Sequence, residues 1–310
     1  MVKLGWLLLG GITATLIVAA GWAYTPDKSR IALGKKYDDN ATRYLDIDGS
    51  QVRVRDSGEK RAPAIIFLHG FGSSLETWEP WADALSDRYR VVRLDLPGCG
   101  LSESDRADDY TDARSISVIR QLMDQLKIDK AVLVGNSMGG RIAWRMAAAF
   151  PDRVSKLVLI SPDGFKSPGF DYGKPAQVPA VLQLMKYFLP EALVRPNLAA
   201  AYADPAKLND ATVDRYYDLL LATGNRAAMI ARMQQIVLED PVPILKRINT
   251  PTLLLWGKRD RMIPYTNSSD YIQALPHVRL VSFPDLGHVP HEEAPVESLG
   301  PLRPFLAESP

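Results

Sequence analysis

Short apolar runs recur along the chain at Ala64-Ile65-Ile66-Phe67-Leu68, Val91-Val92-Arg93-Leu94, Ala131-Val132-Leu133-Val134 and Leu157-Val158-Leu159-Ile160. Runs of this length, rich in β-branched residues, predict strands buried on both faces. Between them the period lengthens. Residues 78–86, 115–126 and 141–150 predict helices. In the second, Ile116, Ile119, Leu122, Met123 and Leu126 share one face. Such alternation implies an α/β class: a mostly parallel sheet with helices on both faces.

Upstream, residues 42–45 and 51–55 flank Asp48-Gly49-Ser50 and read as an antiparallel hairpin. Beyond residue 163 the strand runs stop. Residues 164–244 are helical in pattern and interrupted by Pro168, Pro175, Pro179, Pro190, Pro196 and Pro205. The alternation resumes with Thr252-Leu253-Leu254-Leu255-Trp256, a helix near residues 269–274 and the strand Val278-Arg279-Leu280-Val281-Ser282-Phe283. The expected organisation is a core of residues 42–163 and 245–310 with an inserted helical cap at 164–244. A polar linker at 25–41 and an apolar segment at 1–24 precede it.

Residues 4–23 carry no charge. About 20 apolar residues is the length that spans a bilayer, whereas a secretory signal core has roughly 7 to 15. Trp6 and Trp22 would lie roughly 24 Å apart along a helix, so both could reach interfacial depth. The segment therefore reads as a single-pass N-terminal anchor, with a cleaved signal and a secreted or periplasmic product as the alternative. The side on which residues 25–310 lie stays open. Lys28, Arg30, Lys35 and Lys36 after the segment favour the cytoplasm by the positive-inside rule, and an N-in anchor favours the opposite side.

Composition narrows the partners. The chain has 310 residues, 46% hydrophobic and 24% charged, with net charge +1. That is ordinary for a folded protein and argues against long disorder. No basic run suggests nucleic acid. The single cysteine, Cys99, excludes an intramolecular disulfide and reads as an ordinary small residue in a turn.

The chemistry concentrates at Gly135-Asn136-Ser137-Met138-Gly139-Gly140, between a predicted strand and a predicted helix. A serine on so sharp a turn presents its hydroxyl at the top of the sheet, and side chains at the flanking glycines would clash. A serine needs a base. Of the four histidines, His288 follows the last strand in Asp285-Leu286-Gly287-His288. His291 reads as a first-turn helix residue or salt-bridge partner, His277 as a surface-turn residue, and His69 as structural. Asp260, directly after the strand ending at Trp256, is the expected acid that orients the base, with Asp163 the runner-up. The oxyanion donors are expected to be the N–H groups of Met138 and Phe71. No cofactor or metal is expected, because the oxyanion donors do the polarising.

These features resemble the α/β-hydrolase fold superfamily over nearly all of residues 42–310. His69-Gly70-Phe71-Gly72, Asp95-Leu96-Pro97-Gly98-Cys99-Gly100, the Ser137 elbow, Trp256-Gly257-Lys258-Arg259-Asp260 and Gly287-His288-Val289-Pro290-His291 carry the resemblance. The elbow also resembles that of the meta-cleavage-product hydrolases, which cut C–C bonds. The Phe71-Gly72-Ser73-Ser74 loop departs from the Ser-Gly-Pro-Gly typical of those enzymes. Anchor, cap and His-Gly-Phe loop together look more like membrane-bound monoacylglycerol lipases and carboxylesterases. The resemblance implies a serine hydrolase of short- to medium-chain carboxylic esters, with a small-molecule or lipid-derived substrate. A C–C hydrolase, a lactonase or an amidase would use the same apparatus. A non-catalytic binding protein on this fold is the distant alternative.

Overall fold

A computed structural model of the chain describes residues 24–166 and 171–308. The apolar stretch 4–23, with its anchor and signal readings, lies outside the described residues. Among the described residues, no helix is long and apolar enough to cross a membrane.

The chain opens with helix α1 (Arg30–Tyr37) and the hairpin β1 (Thr42–Ile47) and β2 (Ser50–Ser57). There follow β3 (Ala64–Leu68), α2 (Glu79–Leu85), β4 (Arg90–Leu94), α3 (Asp112–Gln125), β5 (Ala131–Asn136), α4 (Met138–Ala149) and β6 (Val154–Ile160). A block whose described residues add no strand to the sheet comes next, holding α5 (Val194–Ala199), α6 (Asp210–Leu220), α7 (Asn225–Gln235) and α8 (Val242–Leu245). The core then resumes with β7 (Thr252–Gly257), α9 (Asn267–Ala274), β8 (Val278–Phe283), α10 (Pro290–Glu293), α11 (Pro295–Leu299) and α12 (Leu302–Ala307).

Among the described residues the sheet has eight strands in the order β1-β2-β4-β3-β5-β6-β7-β8. β1 pairs antiparallel to β2, and β2 antiparallel to β4. From β4 to β8 all pairings are parallel. Successive side chains of a strand point to opposite faces, and the core divides accordingly. Ile66, Leu68, Leu133, Leu157, Leu159 and Leu254 pack beneath α3, α4 and α9. Ile65, Phe67, Val132, Val134, Val158 and Leu253 pack against α2, α11 and α12. Full burial of each such side chain stabilises the fold by about 1.5–3 kcal/mol.

The predicted helices form with shifted starts. The helix expected at 78–86 forms as α2, behind a 3₁₀ turn at Leu75–Trp78, because Pro80 suits a helix start and not its interior. α3 starts at Asp112, where the Thr111 side chain accepts from Arg114 N–H. α4 starts at Met138, immediately after the elbow.

The stretch read as a linker carries α1 and lies against the block. Thr25 N–H donates to Tyr187 O (2.8 Å) and Lys28 N–H to Leu221 O (2.6 Å). Arg226 reaches back to Asp27 (2.6 Å). The buried Asp218 carboxylate receives Lys28 (2.5 Å), Lys36 (2.7 Å) and the Tyr37 hydroxyl (2.7 Å).

Parallel pairing sets the C-terminal ends of β3, β5, β6, β7 and β8 along one edge. The loops leaving that edge hold Phe71, Ser137, Asp163, Asp260 and His288.

Candidate active site

Ser137 has φ 53° and ψ −119°, left-handed backbone that a side-chain-bearing residue rarely adopts. Such strain costs on the order of 1–3 kcal/mol and persists only where the surroundings over-determine it. Here Ser137 N–H donates to Ile160 O (3.0 Å), while Ser137 O accepts from Arg141 N–H (3.1 Å) and Asp163 N–H (3.2 Å). The glycines meet the steric demand read from the sequence. A Cβ on Gly135 would lie 2.3 Å from Gly139 O, and one on Gly139 would lie 2.2 Å from Leu68 O.

His288 is held at three points. Its N–H donates to Ala201 O (2.7 Å). Its carbonyl accepts from Asn136 Nδ2 (3.0 Å), and its ring Nδ1 lies 2.8 Å from Asp260 Oδ2. The other Asp260 oxygen accepts from the N–H groups of Met262 (2.8 Å) and Ile263 (2.9 Å). A carboxylate accepts, so this contact suits a proton on Nδ1, the tautomer in which a neutral imidazole keeps its lone pair on Nε2. Asp260 therefore does two things at once: it closes its own loop and pairs with the His288 ring. Asp163 does neither for His288. Its carboxylate takes Arg141 Nη1 (2.5 Å), and its carbonyl takes the Tyr271 hydroxyl (2.9 Å).

Ser137, Met138, Phe71 and His288 line one cavity that opens to solvent. Met138 is the first residue of α4, so its N–H is among those a helix cannot satisfy internally. Phe71 follows Gly70 in a turn closed by Ser73 N–H to Gly70 O (3.3 Å). Asp260 stands behind His288, away from the cavity lining. Phe165, Met233, Ile236, Leu238, Met262 and Ile263 make the remaining wall mostly apolar. Arg141 reaches that wall, but Asp112 (3.0 Å) and Asp163 (2.5 Å) match its charge. Burial alone would lower its pKa; the two carboxylates outweigh burial and raise it above the usual value.

The remaining candidates lie elsewhere. His69 accepts Leu96 N–H at Nε2 (3.1 Å) and lies 2.8 Å from Gly70 O through Nδ1, a structural pairing. Burial pushes its pKa down to about 4. His291 sits in α10, stacked on Trp78 at 4.2 Å, with Nε2 3.0 Å from Thr77 Oγ1. It makes no salt bridge among the described residues, and burial lowers its pKa to about 3. His277 is exposed. Cys99 lines a separate small cavity, and burial raises its thiol pKa.

Sequence reasoning missed Asn136, which joins the elbow to the His288 loop although it lies inside the motif itself. It also missed Glu293, whose carboxylate accepts Gly287 N–H (2.7 Å) from the turn before His288. Its partners are too far apart along the chain for spacing to reveal them.

A family model described as the alpha/beta hydrolase fold matches residues 63–295. An uncharacterised hydrolase of Bacillus subtilis is 28% identical over 256 residues, covering 82% of this chain and 93% of its own. A 2-hydroxy-6-oxo-6-phenylhexa-2,4-dienoate hydrolase of Burkholderia cepacia is 28% identical over 247 residues, 77% of this chain and 85% of its own. Among solved structures, a membrane phospholipase A described as a bacterial virulence factor superposes with TM-score 0.71 at 26% identity. That superposition covers 98% of this chain and 96% of the other. With the strand order and the elbow already in place, the match over residues 63–295 identifies the chain as a hydrolase belonging to the α/β-hydrolase fold family.

Proposed function

We propose that the chain is a serine hydrolase of carboxylic esters. Ser137 Oγ attacks the ester carbonyl while His288 Nε2 takes its proton. Asp260 holds the imidazole tautomer and stabilises the imidazolium. The N–H groups of Met138 and Phe71 receive the oxyanion. The alcohol leaves with the proton from His288, and water, activated by the same imidazole, clears the acyl-enzyme. The described helical block acts as the cap over this cavity.

One observation carries the choice of a neutral ester: the mostly apolar cavity wall holds Arg141 already paired to Asp112 and Asp163. A short to medium acyl chain gains about 0.8 kcal/mol per buried methylene on such a surface. A substrate carboxylate would find no spare Lys or Arg among the described lining residues. The second reading, C–C cleavage of a ring-fission product, rests on the Burkholderia cepacia relative and on the elbow sequence. The decisive measurement is specificity constants for acetate, butyrate, octanoate and palmitate esters beside a ring-fission product. Fastest turnover of the ring-fission product overturns the ester reading.

The proposal includes tethering through residues 4–23 and lipid-derived esters, monoacylglycerols among them, as natural substrates. Support comes from that apolar run, from exposed Tyr24, Val181, Leu184 and Tyr187, and from the phospholipase likeness. Full-length protein should sediment with membranes and resist high salt. Recovery of a processed, soluble chain overturns the tether in favour of a cleaved signal.

A further inference from the structure

Glu293 is a buried carboxylate with no cation on it among the described residues. Burying a charge is costly unless strong hydrogen bonds replace the lost water. Here backbone N–H groups from two distant segments supply them. Oε2 accepts from Gly287 (2.7 Å) and Ala203 (3.2 Å), and Oε1 accepts from Asp204 (2.9 Å). Gly287 precedes His288, while Ala203 and Asp204 belong to the helical block between α5 and α6.

The two segments touch along their backbones. His288 N–H donates to Ala201 O at 2.7 Å. A Cβ on Gly287 would lie 2.5 Å from Ala201 O and 2.6 Å from Ala203 N, so any side chain there would force them apart. On its other side the His288 peptide is fixed by Asn136 of the elbow. Glu292 next door repeats the arrangement with side chains. It accepts from Tyr202 OH (2.7 Å), Arg215 Nη2 (2.9 Å) and Tyr216 OH (3.2 Å). Tyr216 OH in turn lies 3.1 Å from Ser73 Oγ, in the loop that carries Phe71.

We infer that Glu293 is a positioning residue for His288, and that residues 201–216 of the block form a fixed support for the catalytic loops. This rests on the reading of Ser137 and His288 as nucleophile and base. Glu293 touches no reacting atom; it sets the height of the His288 peptide over the elbow through Gly287. A misplacement of a catalytic group by about 1 Å costs on the order of 100-fold in rate.

The test compares Glu293→Gln with Ser298→Ala in the full-length protein. The amide keeps the shape but sets an NH2 against a backbone N–H. Ser298 Oγ has its one proton shared between Pro290 O (2.8 Å) and Ala294 O (2.7 Å), so its loss weakens the same helical segment without touching Gly287. Glu293→Gln should lower kcat by roughly 10- to 100-fold with KM within about twofold, and slow fluorophosphonate labelling of Ser137 in parallel. Ser298→Ala should lower thermal stability and leave both rates near wild type. Should Glu293→Gln fail to fold, Tyr216→Phe removes only a hydroxyl and should lower kcat and labelling rate together by about threefold or more. Unchanged labelling, a rise in KM alone, or an equal rate loss in Ser298→Ala overturns the inference. Failure of the wild type to label at Ser137 instead overturns the underlying reading of the site.

Discussion

The sheet edge and the helical block approach the same cavity by opposite means. At the edge, local sterics decide. Ser137 is strained, Gly135 and Gly139 have no room for a Cβ, and the loops after β3, β5, β6 and β7 leave strands paired on both sides. In the block, position comes from scattered polar contacts. Glu292, Glu293 and Asp218 each gather donors from segments many residues away. An error at the edge therefore acts through chemistry or backbone clash, and an error in the block acts through alignment.

The sharpest way to break the comparison is at the nucleophile. Ser137→Ala should keep the fold and lower turnover by on the order of 10⁶-fold. A fluorophosphonate probe should label the wild type at Ser137 alone; near-normal turnover of the alanine variant sinks the assignment. Next comes the acid. Asp260→Asn should cost roughly 10⁴-fold, because the amide favours the wrong imidazole tautomer. Asp163→Asn, whose carboxylate serves Arg141, should cost far less. The opposite ranking, read from kcat, would move the acid to the loop after β6.

A glycine pair tests the steric half. Gly139→Ala would drive a Cβ to 2.2 Å from Leu68 O, and should destabilise by about 3 kcal/mol or more. Gly173→Ala in the block meets nothing within 4 Å and bears only the strain of φ +72°, about 1–2 kcal/mol. Denaturant midpoints compare them, and equal losses would erase the distinction.

The smallest effect is a pH dependence. His291 has its pKa lowered to about 3 by burial, against 6.5 in the unfolded chain. The unfolded state then binds a proton the native state refuses. Stability falls as pH drops below 6.5, by about 2–3 kcal/mol from this group by pH 4.5. His291→Phe keeps the stack on Trp78 and removes the titration. Its stability should fall less steeply over that window, and parallel curves would show that His291 does not titrate as described.

The sheet was legible because a strand buried on both faces leaves an unbroken apolar run, as β3, β5 and β7 do. The Ser137 elbow was legible because its geometry is satisfied by adjacent residues. Asp260 and His288 were placed through strand ends and resemblance, and the structure joins them at 2.8 Å. Helix α1 was not legible. Its only buried apolar residue is Leu33, so residues 25–41 read as a polar linker until Asp218 gathered Lys28, Lys36 and Tyr37. His291 does lie in a first helical turn, as one of its two readings had it, but nothing nearby in sequence announces Trp78 stacked on it.

The docking of residues 25–37 has a mechanical consequence. From Thr25, bonded to Tyr187, the described chain runs along the block and reaches the sheet only afterwards. A pull on the N-terminus is therefore borne first by the ion pairs of Asp27 and Asp218 and the backbone bonds at Tyr187 and Leu221. The block is the loaded member and the sheet is the frame behind it. A force applied ahead of Thr25 thus acts on the block, which lines the cavity, before it acts on the sheet.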